Sequence, residues 1–320
     1  MAAPVSVCMI VKDEERSLGR CLDSVVGRVA EIIVVDTGSR DRTVEIARSY
    51  GARVLSFAWC DDFAAARNMG LEAASQPWIL VLDADEALDE GEIVLPAADG
   101  GEVVVRNFAP ADDPLLWHEF PLVRLFRRDA RYRYQGAIHE QVRGAIVACG
   151  GTIAATDLRI LHTGYADPVL ANGELRALRN LALIRAQLAL HGDDAYLWYQ
   201  LGITEKAAGN LAAADAALAR AQWVPQGRQI DADIAMKRAQ LALARDDYDG
   251  CLAQAGVALR HDAAHALAMY CRAVALLHLG YVEEALIGLE AVLERGVLRP
   301  AVQGEVRRLV EVVGCGFASP

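Results

Sequence analysis

The chain has 320 residues, 54% of them apolar, and a formal net charge of −11. That length allows one large domain or two ordinary ones with a real core, and the acidic balance argues against general binding to nucleic acid or to an anionic membrane surface. No apolar run reaches the roughly 18 residues of a transmembrane span, the N-terminus lacks the basic start of a secretory signal, and the seven scattered cysteines form no Cys-x-x-Cys pair, so a cytoplasmic protein with reduced thiols is expected.

Residues 5–11 (VSVCMIV) are a continuous apolar run and predict a strand buried on both faces. Residues 14–28 follow as a helix, with Leu18, Cys21, Leu22, Val25, Val26 and then Val29 at helical spacing. Residues 31–38 (EIIVVDTG) predict a second strand, and residues 40–51 a second helix closed by Gly51. A third strand (52–57), a third helix (62–75) and a fourth strand (WILVLDAD, 78–85) complete a β-α-β-α-β-α-β pattern. That alternation predicts an α/β domain with a mainly parallel sheet and helices on both faces. After residue 100 the pattern changes to strands, 101–108 and 120–128, joined by loops.

From residue 171 the chain is rich in Ala and Leu at helical spacing and strand signals vanish. Trp198, Leu201 and Gly202, then Ala214, Leu218 and Ala221, fall at the spacings of a 34-residue tetratricopeptide unit. Residues 280–296 repeat the second-helix pattern, and residues 246–260 are a degenerate copy 34 residues earlier. The step from the first copy to the second is 37 residues, which puts three extra residues in the loop near 225–228. Two domains are therefore expected, 1–167 and 168–320, the second an all-α repeat domain of three hairpins over about 195–299 and a capping helix.

The chemistry gathers at strand ends. In an open parallel sheet, ligands bind beyond the carboxyl ends of the strands. The first strand ends in Lys12, Asp13 and Glu14, the second in Asp36, Thr37, Gly38 and Ser39, the fourth in Asp83, Ala84 and Asp85. Carboxylates this close repel, and a buried one costs several kcal/mol when unpaired. Either the acids form a solvated loop with an acidic helix start behind it, or something positive sits among them. The first loop carries no G-x-G-x-x-G, no P-loop and no glycine-rich turn of the sugar-phosphate nucleotidyltransferase kind, so no glycine cradle holds a nucleotide. An alternative is a D-x-D pair that holds Mg²⁺ or Mn²⁺ against a diphosphate, since both ions take carboxylate, water and phosphate oxygens.

Six blocks in order, SVCMIVKDEERSLGRCLDSV, EIIVVDTGSRDRTVEIA, DDFAAARNMGLEAA, WILVLDADE, LVRLFRR…YRYQGAIHEQV and RILHTGY, resemble family 2 glycosyltransferases with the GT-A fold over about residues 4–167. The later blocks are similar to a branch with bacterial peptide S-glycosyltransferases and lipopolysaccharide-core glucosyltransferases, some of which carry tetratricopeptide repeats. The resemblance implies an inverting, hexosyltransferase-type enzyme. It implies a nucleotide-sugar site made by Val11, Glu14, Asp36, Arg67, Asp83, Ala84 and Asp85. Asp36 would contact the nucleoside and Arg67 would lie near the nucleotide with Asn68 beside it. Mn²⁺ or Mg²⁺ would be held by Asp85, His162 and Asp83. Thr37 departs from the family, where many members have a second Asp, and is expected to matter little for the metal.

Each residue has a plainer reading. Asp85 is a metal ligand or a helix N-cap. His162 is a ligand or a packed surface group. Arg67 meets the nucleotide or pairs with Asp61 or Asp62, while Asp41 or Ser39 caps the second helix. The arginines of RLFRRDARYR (Arg124, Arg127, Arg128, Arg131 and Arg133) form a solvated strand face or a patch for an anion. An inverting transfer needs one general base. Candidates are Asp112, Asp113, His118, Glu119, His139 and Glu140, with Glu140 first and His139 second, against a structural salt bridge from Glu140 to an arginine.

Two functions remain open at this stage. One is a glycosyltransferase that moves a sugar from a nucleotide-diphosphate sugar, a UDP-sugar as first expectation, to a hydroxyl or thiol. Its acceptor would be a peptide, protein or glycan, with the repeats gripping acceptor or partner or making a homodimer. The other is a repeat scaffold for protein partners with a degenerate sugar-nucleotide domain.

Overall fold

The computed structural model describes residues 2–107, 119–162, 173–192, 194–295 and 300–317. The chain divides into two compact units, Met1–Asn172 and Gly173–Pro320. The boundary expected at residue 167 lies outside the described residues.

The strands of the first unit are β1 (Ala3–Val11), β2 (Val29–Asp36), β3 (Arg53–Ser56), β4 (Trp78–Val81), β5 (Glu86–Leu88), β6 (Gly100–Asn107), β7 (Glu119–Arg127) and β8 (Ile153–His162). Its helices are α1 (Leu18–Asp23), α2 (Thr43–Ser49), α3 (Phe63–Ala73) and α4 (Arg143–Ala148). The strands make one sheet in the order β3-β2-β1-β4-β7-β6-β8-β5. β1 to β4 are mutually parallel, as their apolar runs predict. β7 turns back antiparallel to β4 and β6, β8 runs parallel to β6, and β5 pairs antiparallel with β8. This GT-A-like mixed sheet is the fold that the sequence resemblance implies.

Strand alternation sorts the core into two layers. Val5, Val7, Met9 and Val11 pack with Leu18, Leu22 and Val25 on one face. Cys8, Ile33, Ile79 and Val81 pack with Ala64, Leu71 and Phe126 on the other. Full burial of each such aliphatic side chain contributes about 1.5–3 kcal/mol. On α3, Gly70 sits against β2, and a Cβ there would stand 3.3 Å from Val35 Cγ2. That close approach holds Arg67, one turn earlier, at the strand ends.

Four elements differ from the sequence reading. α1 ends at Asp23, and Val29, placed in helical register by its spacing, opens β2 instead. The fourth strand stops at Val81, and the acids behind it start no helix. Glu86–Leu88 form the short β5. The fourth helix, α4, went unrecognised; its six residues are too few to show a period.

The second unit holds α5 (Gly173–His191), α6 (Ala195–Ala207), α7 (Leu211–Ala221), α8 (Arg228–Leu243), α9 (Tyr248–His261), α10 (Ala266–His278), α11 (Val282–Arg295) and α12 (Pro300–Phe317). α6 with α7, α8 with α9 and α10 with α11 are the three expected tetratricopeptide-like hairpins. The repeat register is visible in burial. Ala214, Cys251 and Ala285 are equivalent, as are Leu218, Ala255 and Leu289, and then Ala221, Ala258 and Val292, and all nine are fully buried. The turn inside each hairpin needs a left-handed residue. Gly209 (φ 79°) and Gly280 (φ 86°) fill it in the first and third copies, and Asp246 (φ 58°) in the degenerate second. α12 covers the third hairpin, with Val306 buried against Leu289 and Val292.

Helix contact in each hairpin is met by a different pair of residues. A Cβ on Gly202 would lie 2.5 Å from Leu218 Cγ, so glycine there admits the leucine. The second copy has Ala239 in the glycine's place and Ala255 in the leucine's, within one buried cluster. The third keeps Ala273 and Leu289 and instead places Gly288 against Ala273, where a Cβ would be 3.1 Å away. Gly202→Ala should therefore destabilise the protein by about 1–3 kcal/mol. Leu218→Ala should cost about 2–5 kcal/mol through its cavity. The double variant, which recreates the second copy's pair, should lose less than the sum in urea unfolding. Additive losses would mean that the two side chains do not share this space.

Candidate active site

The carboxyl ends of β2, β1 and β4 lie in that order along one stretch of the sheet, and the antiparallel β7 brings Arg124, short of its own carboxyl end, beside the end of β4. At β2, Asp36 is nearly buried. Its Oδ1 accepts from Ser39 N at 3.0 Å. Thr37, the family departure, donates from both N and Oγ1 to Val11 O at 3.0 Å and so fixes the end of β1. The Glu14 carboxylate accepts from Ser17 Oγ at 2.5 Å and steadies the entry to α1. Ala84 is buried in the apolar layer shared with β1 and α1. Asp41 does not cap α2, whose N-cap is Arg42. It accepts instead from Thr43 N and Oγ1 and from Glu15 N.

Behind β4 the acids meet two arginines. Arg67 Nη2 donates to Asp83 Oδ1 at 2.8 Å, and Arg67 Nε to Glu140 Oε1 at 2.5 Å. Arg124 Nη2, from β7, donates to Asp83 Oδ2 at 3.1 Å and to Glu86 Oε1 at 3.2 Å. Glu86 Oε2 accepts from Asp83 N at 2.8 Å. Burial alone would raise the Asp83 pKa, but the charges and hydrogen bonds of Arg67 and Arg124 hold it well below the usual carboxylate range. Burial lifts Glu86, with Arg124 opposing and Asp83 adding to the rise. Burial would lower both arginines, and their carboxylates reverse that, so both stay charged.

His162 reaches this site through strand register. The β5–β8 pairing sets Glu86 opposite His162, and the β6–β8 pairing sets Asn107 opposite it from the other side. His162 Nε2 lies 3.2 Å from Asp85 Oδ2, and Nδ1 lies 2.6 Å from Asn107 Oδ1. With Nδ1–H donating to Asn107, Nε2 points at a carboxylate oxygen, and something positive must lie between them: a proton or a metal ion. Burial would lower the His162 pKa, but the hydrogen bond and charge of Asp85, with Glu86 and Asp83, hold it above its ordinary value. The same pair fits a divalent ion. Adjacent ligands of an octahedral ion with bonds of about 2.0–2.1 Å stand about 3 Å apart. No group of three His, Cys, Asp or Glu side chains of metal-holding size occurs among the described residues, so such an ion would rely on substrate phosphate and water for its remaining ligands. Arg20 Nη2 fixes this turn by donating to Asp85 O at 2.9 Å.

Glu140 is nearly buried, held through Oε1, and its Oε2 has no hydrogen-bond partner among the described residues. His139 beside it takes a left-handed φ of 53°, and its buried Nε2 is unpartnered. Burial pushes the His139 pKa below its ordinary value against the pull of Glu140, which keeps it neutral. Tyr134 lies under Arg67, with the guanidinium 5.6 Å from the ring centroid, and burial pushes its hydroxyl up to about 12.

The other base candidates fall elsewhere. Asp112, Asp113 and His118 lie outside the described residues, and Glu119 pairs with Arg106 across β6 and β7. Arg67 pairs with neither Asp61 nor Asp62, since Asp62 caps α3. The five arginines do not act as one patch: Arg127, Arg128 and Arg131 are exposed, as the solvated reading expects, and Arg124 is not. Arg124 is buried in the site, Arg127 stacks 4.8 Å from the Trp78 ring centroid, Arg131 pairs with Asp129, and Arg133 pairs with Glu72. Sequence reasoning missed Glu86 and Asn107 as site residues. The one available signal was that Glu86 follows the D-x-D directly.

Residues 6–151 match the family model described as Glycosyl transferase family 2, and the chain carries a domain of that family. A TPR repeat-containing protein of Synechococcus elongatus is 38% identical over 239 residues, 70% of this chain and 56% of that protein. The lipopolysaccharide core biosynthesis glycosyltransferase LpsC of Rhizobium meliloti is 39% identical over 155 residues, 43% of this chain and 57% of that protein. The SPbeta prophage-derived glycosyltransferase SunS of Bacillus subtilis is 28% identical over 204 residues, 60% of this chain and 47% of that protein. The chain thus spans about half the length of these relatives. No helix among the described residues is long and apolar enough to cross a membrane.

The raised His162 pKa gives a pH signature to the metal-free protein. A raised folded pKa contributes stability that is fully present below the unfolded value near 6.5 and is lost as pH rises through the folded value. The stability advantage of wild type over His162→Gln, from thermal melts in chelator, should shrink steadily from pH 6 to pH 9. A constant difference would mean that no imidazolium–Asp85 pair forms.

Proposed function

We propose that this chain is a metal-dependent, inverting glycosyltransferase that moves a hexosyl unit from a nucleotide-diphosphate sugar to a hydroxyl or thiol acceptor. The observation that carries the reading is the Asp85–His162 pair, facing across 3.2 Å beside a charge-balanced Asp83 in a family 2 domain. In this reading Asp85 and His162 would hold Mn²⁺ or Mg²⁺, which would supply Lewis-acid stabilisation to the departing diphosphate. Asp83, whose two oxygens face arginines, serves that ion through charge rather than as a ligand.

The protein's own groups divide the remaining work. Asp36, anchored through Oδ1, offers its other oxygen to the nucleoside. The acceptor oxygen or sulfur attacks the anomeric carbon from the face opposite the leaving group, the bond from that carbon to the diphosphate oxygen breaks, and the nucleoside diphosphate departs. Glu140 takes the acceptor's proton on Oε2. Arg67, by holding Oε1, aims that oxygen and ties the base to the side of the site that carries Asp83. The repeat unit is assigned recognition of an extended peptide or protein acceptor, the use to which stacked helical hairpins lend a concave surface. A UDP-sugar is the first donor to test.

Two experiments test the reading. The first screens UDP-, GDP-, dTDP- and ADP-sugars for release of nucleoside diphosphate, with and without Mn²⁺. Wild type should release one of them only with metal, and Asp85→Asn should fall to background; full turnover in chelator would overturn the metal assignment. The second compares two variants of the base. Glu140→Gln still accepts from Arg67 but cannot take a proton, so turnover should drop by roughly two to four decades with donor affinity little changed. Glu140→Ala also frees Arg67, so donor binding should weaken too. Equal loss of donor binding in both variants would place Glu140 in the nucleotide site rather than at the acceptor.

A further inference from the structure

The loop after β1 (residues 12–17) and the loop after β2 (residues 37–42) have no regular secondary structure to hold them, yet hydrogen bonds lace them together. Asp13 N donates to Ser39 Oγ at 2.9 Å, and Arg40 N donates back to Asp13 Oδ1 at 2.7 Å. Glu14 N donates to Thr43 Oγ1 at 2.7 Å, at the start of α2. Glu15 N donates to Asp41 Oδ2 at 3.0 Å, and Arg42 N donates back to Glu15 Oε2 at 3.2 Å. Each bond joins a backbone N–H of one segment to a side chain of the other. Asp13 adopts a left-handed φ of 55° to do so, a conformation that Asp and Asn tolerate better than other side chains.

The lacing ends on the proposed nucleoside contact. Ser39, which accepts from Asp13 N through Oγ, itself donates from N to Asp36 Oδ1 at 3.0 Å. The path from the first loop to the Asp36 carboxylate is therefore two hydrogen bonds long.

We propose that Asp13 and Asp41 are positioning residues for nucleoside recognition, clasping the two loops so that Val11 and Asp36 present one preformed surface before the ligand arrives. The inference rests on the glycosyltransferase reading above and extends it to residues that touch no substrate. Preformation matters because ordering a loop on binding subtracts from affinity. The clasp serves only the nucleoside half of the donor. The diphosphate half rests on the separate charge network of Asp83, Arg67 and Arg124.

The test uses the full-length protein with Mn²⁺ and measures binding of UDP, GDP, dTDP and ADP by calorimetry, then of the matching nucleoside and of inorganic pyrophosphate. For the nucleoside diphosphate that wild type prefers, Asp13→Gly and Asp41→Ala should each bind about tenfold more weakly, the scale of one lost positioning hydrogen bond. Asp13→Gly tolerates the left-handed φ and keeps the Asp13 N–H bond to Ser39 while removing the acceptor for Arg40 N, so strain does not contribute to its loss. Asp13→Asn retains both acceptor oxygen and left-handed tolerance and should restore affinity to within about threefold of wild type. Nucleoside affinity should fall in step while pyrophosphate affinity holds, and in turnover the donor KM should rise with kcat nearly unchanged. Undiminished UDP-type binding in Asp13→Gly and Asp41→Ala, or equal losses for nucleoside and pyrophosphate, would overturn the clasp while leaving the glycosyltransferase reading intact. Failure of wild type to bind any of the four nucleoside diphosphates would overturn both.

Discussion

Asp83 held between Arg67 and Arg124 is the contact on which the first unit's site depends. A carboxylate at the end of a buried strand costs several kcal/mol unless something compensates it. Here the compensation comes from two distant parts of the chain, α3 and β7, each contributing one guanidinium to one carboxylate oxygen. Each arginine then uses a second contact to recruit another acid: Glu140 through Arg67, Glu86 through Arg124. Five ionisable groups from four segments are thereby locked into one arrangement. Removing Arg67 would leave Glu140 without its partner, and removing Arg124 would leave Glu86 without its own, so the network specifies its geometry more than it adds net stability. Asp85 alone of the D-x-D pair is left outside these arginine contacts to face His162.

What could be read in the sequence, and what could not, follows the range of the interactions. The parallel strands β1, β2 and β4 were legible through their apolar runs, and α3 through its place in the strand–helix alternation. The hairpins were legible because a repeat prints its register, and the degenerate second copy held that register through Cys251, Ala255 and Ala258. β5 was not legible. Its three residues have no period of their own, and they are a strand only because β8 lies beside them. The same holds for the site. Asp36, Asp83, Asp85, Glu140 and His162 could be picked out as strand-end residues or as parts of recognisable blocks. That Arg124 rather than any of the four neighbouring arginines enters the site depends on the β4–β7 register, which sets it beside the end of β4. That Asn107 fixes His162 depends on the β6–β8 register, across 55 positions of sequence.

The repeat unit shows how little identity a tetratricopeptide-like hairpin needs. The first copy satisfies its helix contact with glycine against leucine, the second with alanine against alanine, the third with alanine against leucine beside an added glycine. Interiors are close-packed, so each pair has to fit the space between its own two helices, and pairs of different size serve in different copies. Asp246 in the left-handed slot of the second copy makes the same point for the backbone, since Asp is one of the few side chains that tolerate it.

The topology explains why the two halves of the site lie together yet rest on different physics. From β1 the chain moves outward to β2 and β3, then crosses back to place β4 on the other side of β1. That reversal makes β1 and β4 the point at which successive connections leave on opposite faces of the sheet, with α1 packed in one apolar layer and α3 in the other. The loops part there, and the crevice between them is the ligand position of open α/β sheets. On the β2 side the loops are exposed and are ordered by backbone hydrogen bonds to Asp13, Ser39, Asp41 and Thr43, and the nucleoside proposed to bind there carries no charge to be balanced. On the β4 side the groups are buried and the expected partner is a polyanion with its cation. Hydrogen bonds alone cannot hold three acids beside such a ligand. The second half of the site therefore needs arginines, drawn from α3 on one side of β4 and from β7 on the other.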